Sequence, residues 1–265
     1  MKALVVGCSF TRGHGLVNTI YDPKLWVNQF LAHLDPDCHT INLAQSGRNN
    51  HWIFTEAYCA LMQQDFDVVV IGWTHQSRLN FTVGLETYIT DTMFTDLMDI
   101  NLNSGITISK KWLKETGDRL KKIQNDHWGL VDLTKYVNIL YDKQVITRGK
   151  TLLFINSLVD ISNNYFIKKD SFTPSELSEY QQNLLNVDLR DDEEIKKLYQ
   201  LTHQHYNHYG GIRSEHWLNL YQSLMDMKID NVSNSDLHPG YKSQDVYAKY
   251  LINQYNEKMH YNNSR

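Results

Sequence analysis

Lys2-Ala3-Leu4-Val5-Val6-Gly7-Cys8-Ser9-Phe10 opens the chain and sets the reading of everything after it. An unbroken apolar run that ends in glycine has the pattern of a parallel strand buried on both faces. The serine that follows falls just past the carboxyl end of that strand, where open α/β sheets hold their ligands. Two more runs of the same kind come later. Thr40-Ile41-Asn42-Leu43-Ala44 reads as a short second strand, and Asp67-Val68-Val69-Val70-Ile71-Gly72 as a third. Between them, apolar residues recur at helical spacing over 26–34 and 51–64, with Ile53, Ala57, Ala60 and Leu61 on the inner face. Asp35-Pro36-Asp37 stops the first of these helices.

Strand, loop and helix alternate through the first seventy residues, which predicts right-handed parallel crossovers and a doubly wound sheet. The expected fold is a three-layer α/β/α sandwich, flavodoxin-like, with helical insertions at about 79–150 and 160–212. One domain over 1–265 is expected, with Thr151-Leu152-Leu153-Phe154-Ile155-Asn156 as a fourth strand. Helices are expected near 110–125, 128–141, 174–209 and 214–227, the last capped by Ser214, and a closing helix over 243–259. That closing helix presents Val246, Tyr250, Leu251 and Tyr255 on one face.

Composition narrows the function classes. The chain has 265 residues, 42% hydrophobic and 21% charged, with a net charge of −4 and both signs mixed. Such a chain has enough apolar surface to build a core. No basic face marks a nucleic-acid partner, and no apolar run approaches a membrane span. No leader precedes the first strand, so a cytoplasmic protein is expected. Cys8, Cys38 and Cys59 fit neither a zinc pattern nor a disulfide framework, and Cys8 and Cys59 read as small buried groups.

Three polar turns follow three strands: Gly7-Cys8-Ser9-Phe10-Thr11, Ser46-Gly47-Arg48-Asn49-Asn50, and Gly72-Trp73-Thr74-His75-Gln76-Ser77-Arg78. In a parallel sheet all three emerge at one edge. Asp236-Leu237-His238-Pro239 precedes the closing helix and can lie over the same edge. Ser9 near the start and Asp-x-His near the end make a candidate nucleophile with its base.

This order of motifs resembles the SGNH (GDSL-type) hydrolase superfamily. Gly7-Cys8-Ser9 matches the family's first block, Gly47 its second, and Asp236 with His238 its last. The resemblance implies that Ser9 is the nucleophile, that His238 shuttles its proton, and that Asp236 orients the imidazole. It implies an oxyanion hole from the backbone N–H groups of Ser9 and Gly47, with Thr74 as third donor. Here Thr74 stands where the family's Gly-x-Asn-Asp block has its amide, Cys8 stands where the first block has its acid, and Asp-x-His replaces the commoner Asp-x-x-His. Asn49, Asn50 and Arg78 are the expected substrate contacts. The implied reaction is hydrolysis of an acyl ester, with acetyl esters of carbohydrates or small molecules as the expected substrates and no cofactor or metal. An acyltransferase and a non-catalytic ligand-binding protein share the same residues.

Other patterns carry blander readings. His203, His205 and His208 do not share a helix face and read as a solvated helix end. Lys110, Lys111, Lys114, Arg119, Lys121 and Lys122, interleaved with Glu115 and Asp118, read as a solvated face. Gly7, Gly13 and Gly15 offer the glycines of a phosphate cradle, but they match neither the dinucleotide nor the Walker fingerprint.

Overall fold

The computed structural model describes residues 1–75, 78–83, 86–90, 100–101, 107–108, 111, 115, 126–159, 213–220 and 222–263. Four parallel strands form the central sheet: β1 (Lys2–Gly7), β2 (His39–Asn42), β3 (Val68–Trp73) and, later in the chain, β8 (Thr151–Asn156). Their order is β2-β1-β3-β8, the flavodoxin-like arrangement. Ala3, Leu4, Val5 and Val6 are fully buried, as are Val69, Val70 and Ile71. That burial is why these stretches read as continuous apolar runs instead of alternating ones. β2 is an edge strand with only partial burial and a polar sequence, His-Thr-Ile-Asn.

Helix α1 (Ser9–Arg12) is a single turn following β1. Helix α2 (Trp26–Leu34) buries Trp26, Val27, Phe30 and Leu31, and α3 (Asn50–Gln63) buries Ile53, Ala57, Ala60 and Leu61 as expected. Between β3 and β8 the chain forms two antiparallel ribbons. These are β4 (Leu79–Val83) with β5 (Glu86–Thr90), and β6 (Ile100–Asn101) with β7 (Thr107–Ile108). Helix α4 (Asp126–Tyr141) follows and packs on α3, with Phe54 and Tyr136 stacked at 4.6 Å. Helix α5 (Tyr241–Asn263) closes the chain and packs on α2. Right-handed crossovers put α2 and α3 on opposite faces of the sheet, so the α2/α5 and α3/α4 pairs are its two outer layers. Among the described residues, no helix is long and apolar enough to cross a membrane.

Three expectations need correction. Residues 214–227 are not a helix. A single 3-10 turn, Ser214–His216, leads into an isolated bridge that pairs Trp217 with Phe154, and the described residues beyond it form bends and turns. Asn219 accounts for this: its Oδ1 accepts from Asn156 N–H at 2.7 Å, and its Nδ2 donates to Asn156 O at 2.9 Å. One side chain thereby acts as a strand partner at the open edge of β8, an interaction a helix would forfeit. The buried stripe of α5 is Ser243, Gln244, Tyr247, Ala248 and Leu251; of the expected face, Leu251 is fully buried, Tyr250 and Tyr255 pack partly buried against the core, and Val246 is half-buried. Polar bonds turn the helix: Gln244 Oε1 accepts from Trp26 N–H, and Ser243 bonds Asp230. Cys59 is exposed, while Cys8 is buried. The segment 160–212, with the expected helix over 174–209 and His203, His205 and His208, lies outside the described residues. Of the basic stretch, Lys111 and Glu115 are described. They are exposed and form an i,i+4 ion pair at 3.9 Å, as on a solvated face.

One close approach fixes α1 on the sheet. Gly7 and Gly72 are register partners at the ends of β1 and β3. A Cβ on Gly72 would stand 2.1 Å from Thr11 Oγ1, and one on Gly7 2.3 Å from the same atom. Thr11 is fully buried and seats the turn that carries Ser9. Gly72→Ala therefore overpacks this junction and is expected to cost about 1–3 kcal/mol. Thr11→Ala in the same chain should recover most of that in urea unfolding, because the clashing oxygen is gone.

Candidate active site

Ser9 is the first residue of α1, reached directly from β1 through Cys8 in extended conformation. Its carbonyl accepts from His14 N–H at 3.1 Å, and Gly13 takes the left-handed φ of 72° that ends the turn. Ser9 is 5% exposed. Its hydroxyl has no hydrogen-bond partner among the described residues.

Asp236 and His238 come from the loop that enters α5. Asp230 anchors that loop. Its carboxylate accepts from the N–H groups of Lys242 and Ser243 and from the Ser243 hydroxyl, which caps the helix. Its carbonyl accepts from Gly240 N–H, and Asn231 bridges to Pro239. Burial pushes the Asp230 carboxyl up, but these donors outweigh it and hold it below the usual carboxylate range. The sign follows: this stabilisation is complete above the unfolded value of about 3.9. It is lost as pH falls through the lower folded value. Asp230→Ala removes the cap and is expected to cost about 1–2 kcal/mol in chemical denaturation. It should also loosen the Asp236–His238 loop that the same residue holds.

Within the loop, His238 Nδ1 lies 2.7 Å from Asp236 Oδ1, and His238 N–H donates to the same oxygen at 3.0 Å. An ionised carboxylate only accepts, so Nδ1 carries the proton, and in the neutral ring Nε2 is the nitrogen with the lone pair. The His238 backbone N–H and then its ring hold the Asp236 carboxyl below the usual range. The two side chains are 33% and 28% exposed, enough to be reached by a substrate. The His238 ring packs 6.4 Å, centroid to centroid, from Phe10, the neighbour of Ser9.

The turn after β2 runs along the end of β1: Gln45 N–H donates to Gly7 O at 3.0 Å. Gly47 has φ of 73°, a conformation that suits glycine. Arg48 is held by Gln45 Oε1 and lies over the Trp52 ring. Asn49 caps α3, accepting from Trp52 N–H, and its amide reaches Arg78 O at 3.4 Å. Asn50 bonds both backbone groups of Thr74, accepting from its N–H at 2.9 Å and donating to its carbonyl at 3.0 Å. Arg78 Nη1 donates to Arg48 O at 3.5 Å. Asn49, Asn50 and Arg78 thus join the turns after β2 and β3 and fix Thr74. The Thr74 hydroxyl is buried and has no partner among the described residues.

One residue of the site was not foreseen. His14 stacks on His238 with ring centroids 4.3 Å apart, and its Nδ1 lies 2.8 Å from Ser46 Oγ. It links the Asp236–His238 loop to the turn that carries Gly47. The sequence signal is Gly13-His14-Gly15, a ring held between two glycines just after the candidate nucleophile.

The chain matches no protein-family model and no curated protein. It does align with solved structures along most of its length. One is the psychrotrophic esterase EstA from Pseudoalteromonas sp., at 14% identity and TM-score 0.45, covering 98% of each chain. Another is the lipase/acylhydrolase from Enterococcus faecalis, at 11% identity and TM-score 0.40, covering 96% of this chain and 95% of that one. A third is Axe2, an acetyl xylan esterase from Geobacillus stearothermophilus, at 11% identity and TM-score 0.40, covering 96% and 93%. The chain also aligns with a protein described as TesA, at 11% identity and TM-score 0.46, covering 97% of this chain and 99% of that one.

Proposed function

We propose that this chain is a divergent serine hydrolase of the SGNH type that cleaves an acyl oxygen ester, acetyl in the simplest case, on a carbohydrate or small molecule. The observation that carries the reading is the 2.7 Å Asp236–His238 pair, held by the loop before α5, with its ring beside the residue that follows Ser9.

The steps follow from the groups present. Ser9 Oγ attacks the ester carbonyl while His238 Nε2 takes its proton. Asp236 stabilises the imidazolium that forms. The carbonyl oxygen, now an anion, is met by the N–H groups of Ser9 and Gly47 and by the Thr74 hydroxyl, which has no partner among the described residues. His238 then gives its proton to the departing alkoxide, and Ser9 keeps the acyl group. Water, deprotonated by His238, releases the carboxylate and restores Ser9. The Ser9 hydroxyl has no partner among the described residues, so this mechanism requires the Ser9–His238 hydrogen bond to form in the substrate complex, where such bonds commonly tighten.

Hydrolysis of p-nitrophenyl acetate and of acetylated glycans by the purified chain tests the proposal. Ester turnover is expected, and no turnover across that panel overturns it. The unengaged Ser9 hydroxyl and the short Thr74 donor favour a second reading, a cleft that holds an ester or sugar without cleaving it. That reading predicts saturable binding with no product. An acyltransferase is recognised by a new ester that forms only when an alcohol acceptor is added.

A further inference from the structure

His14, Asp236 and His238 each offer one ligand atom, and the three atoms lie within 4.8 Å of one another. We propose that these residues form a binding site for a divalent transition-metal ion of the zinc class, and that the bound ion silences the esterase.

The donor set suits such an ion: two imidazole nitrogens and a carboxylate oxygen, with a fourth position left for water. Zinc–ligand bonds of about 2.0–2.2 Å in a tetrahedron place the ligand atoms about 3.3–3.5 Å apart. The three groups therefore need to close by no more than about 1.5 Å. His14 is exposed, so it can make that adjustment.

Two further features point the same way. Ser46 Oγ, 2.8 Å from His14 Nδ1, can accept the Nδ1 proton and leave Nε2 as the metal-binding nitrogen. This is how a second layer of groups orients histidine ligands. Gly15 has φ of +80°, and a Cβ there would stand 2.6 Å from Asp236 Oδ2. The absent side chain lets the Gly13–Gly15 loop close over the carboxylate.

The consequence for catalysis is competition. An ion on either nitrogen of His238 displaces its bond to Asp236 or takes the lone pair that accepts the Ser9 proton. This part rests on the esterase reading, whereas binding itself does not.

The test uses the full chain and two probes, Zn²⁺ in titration calorimetry and Co²⁺ in visible absorption. The expected result is one saturable site in the wild type, with the visible bands of a low-coordinate Co²⁺. His14→Ala should weaken Zn²⁺ binding about tenfold or more. In parallel, Zn²⁺ should suppress ester turnover in the wild type and EDTA should restore it. Scaled to its own metal-free turnover, His14→Ala should need at least about tenfold more Zn²⁺ for the same fractional suppression. Absence of saturable binding, binding unchanged by His14→Ala, or turnover raised by Zn²⁺ each overturns the proposal. If the wild type hydrolyses no ester, the esterase reading fails, and the calorimetric arm still decides the metal site.

Discussion

Ser9→Ala is expected to lower ester turnover by about 10⁴-fold or more while leaving the fold intact. The two halves of that expectation have different origins. The hydroxyl is the only group at this position that can carry the acyl chain, so removing it removes the covalent route. It makes no hydrogen bond within the described residues, so its loss leaves no buried partner unsatisfied. The urea midpoint of Ser9→Ala should lie close to that of the wild type, which separates a chemical defect from a folding one. Substrate affinity should change little, because the proposed oxyanion donors are backbone groups and Thr74.

Asp236→Asn is the second large effect, expected at about 10⁴-fold in kcat. An amide at this position still offers an oxygen to the His238 N–H, so the loop keeps much of its shape. What it lacks is charge: nothing neutralises the imidazolium formed when Ser9 gives up its proton. The amide can also donate to the ring, which favours the wrong tautomer and blocks the lone pair. The pH dependence has a definite sign. The Asp236 carboxyl is held below the usual carboxylate range, so its bond to His238 is complete above that range. It is lost as pH falls through the lower folded value. Asp236→Asn should therefore lose the part of acid destabilisation that this carboxylate contributes, measurable as a shallower fall of the urea midpoint below about pH 4.

Much of the fold was legible because burial on both faces leaves a plain record. Val68 to Ile71 and Leu152 to Ile155 admit few other readings, and their register in the sheet follows. The two ribbons of β4 to β7 were missed although the sequence carries a signal. Gly84 separates two runs rich in threonine and in β-branched or aromatic residues. The stretch after Ser214 misled because Trp217, Leu218, Leu220 and Leu224 look like a helix stripe. Their burial is real, but it is burial against the edge of β8, imposed by the Asn219 amide.

The site divides along the same line. Asp236 and His238 are two positions apart, so their pairing was a local inference, and a loop tied by Asp230 brings them to 2.7 Å. Thr74 was noticed as a departure, whereas its clamp by Asn50 spans two turns and has no sequence pattern. His14 has a local cue in Gly13-His14-Gly15, but its neighbours are Ser46 and His238, and only the crossovers of the sheet gather residues so far apart.

Covalent labelling by a fluorophosphonate, followed by mass analysis of the Ser9 peptide, asks whether His238 activates Ser9. The account predicts modification at Ser9 in the wild type and its near-complete loss in His238→Ala. An unlabelled wild type, or equal labelling of the two, would contradict it.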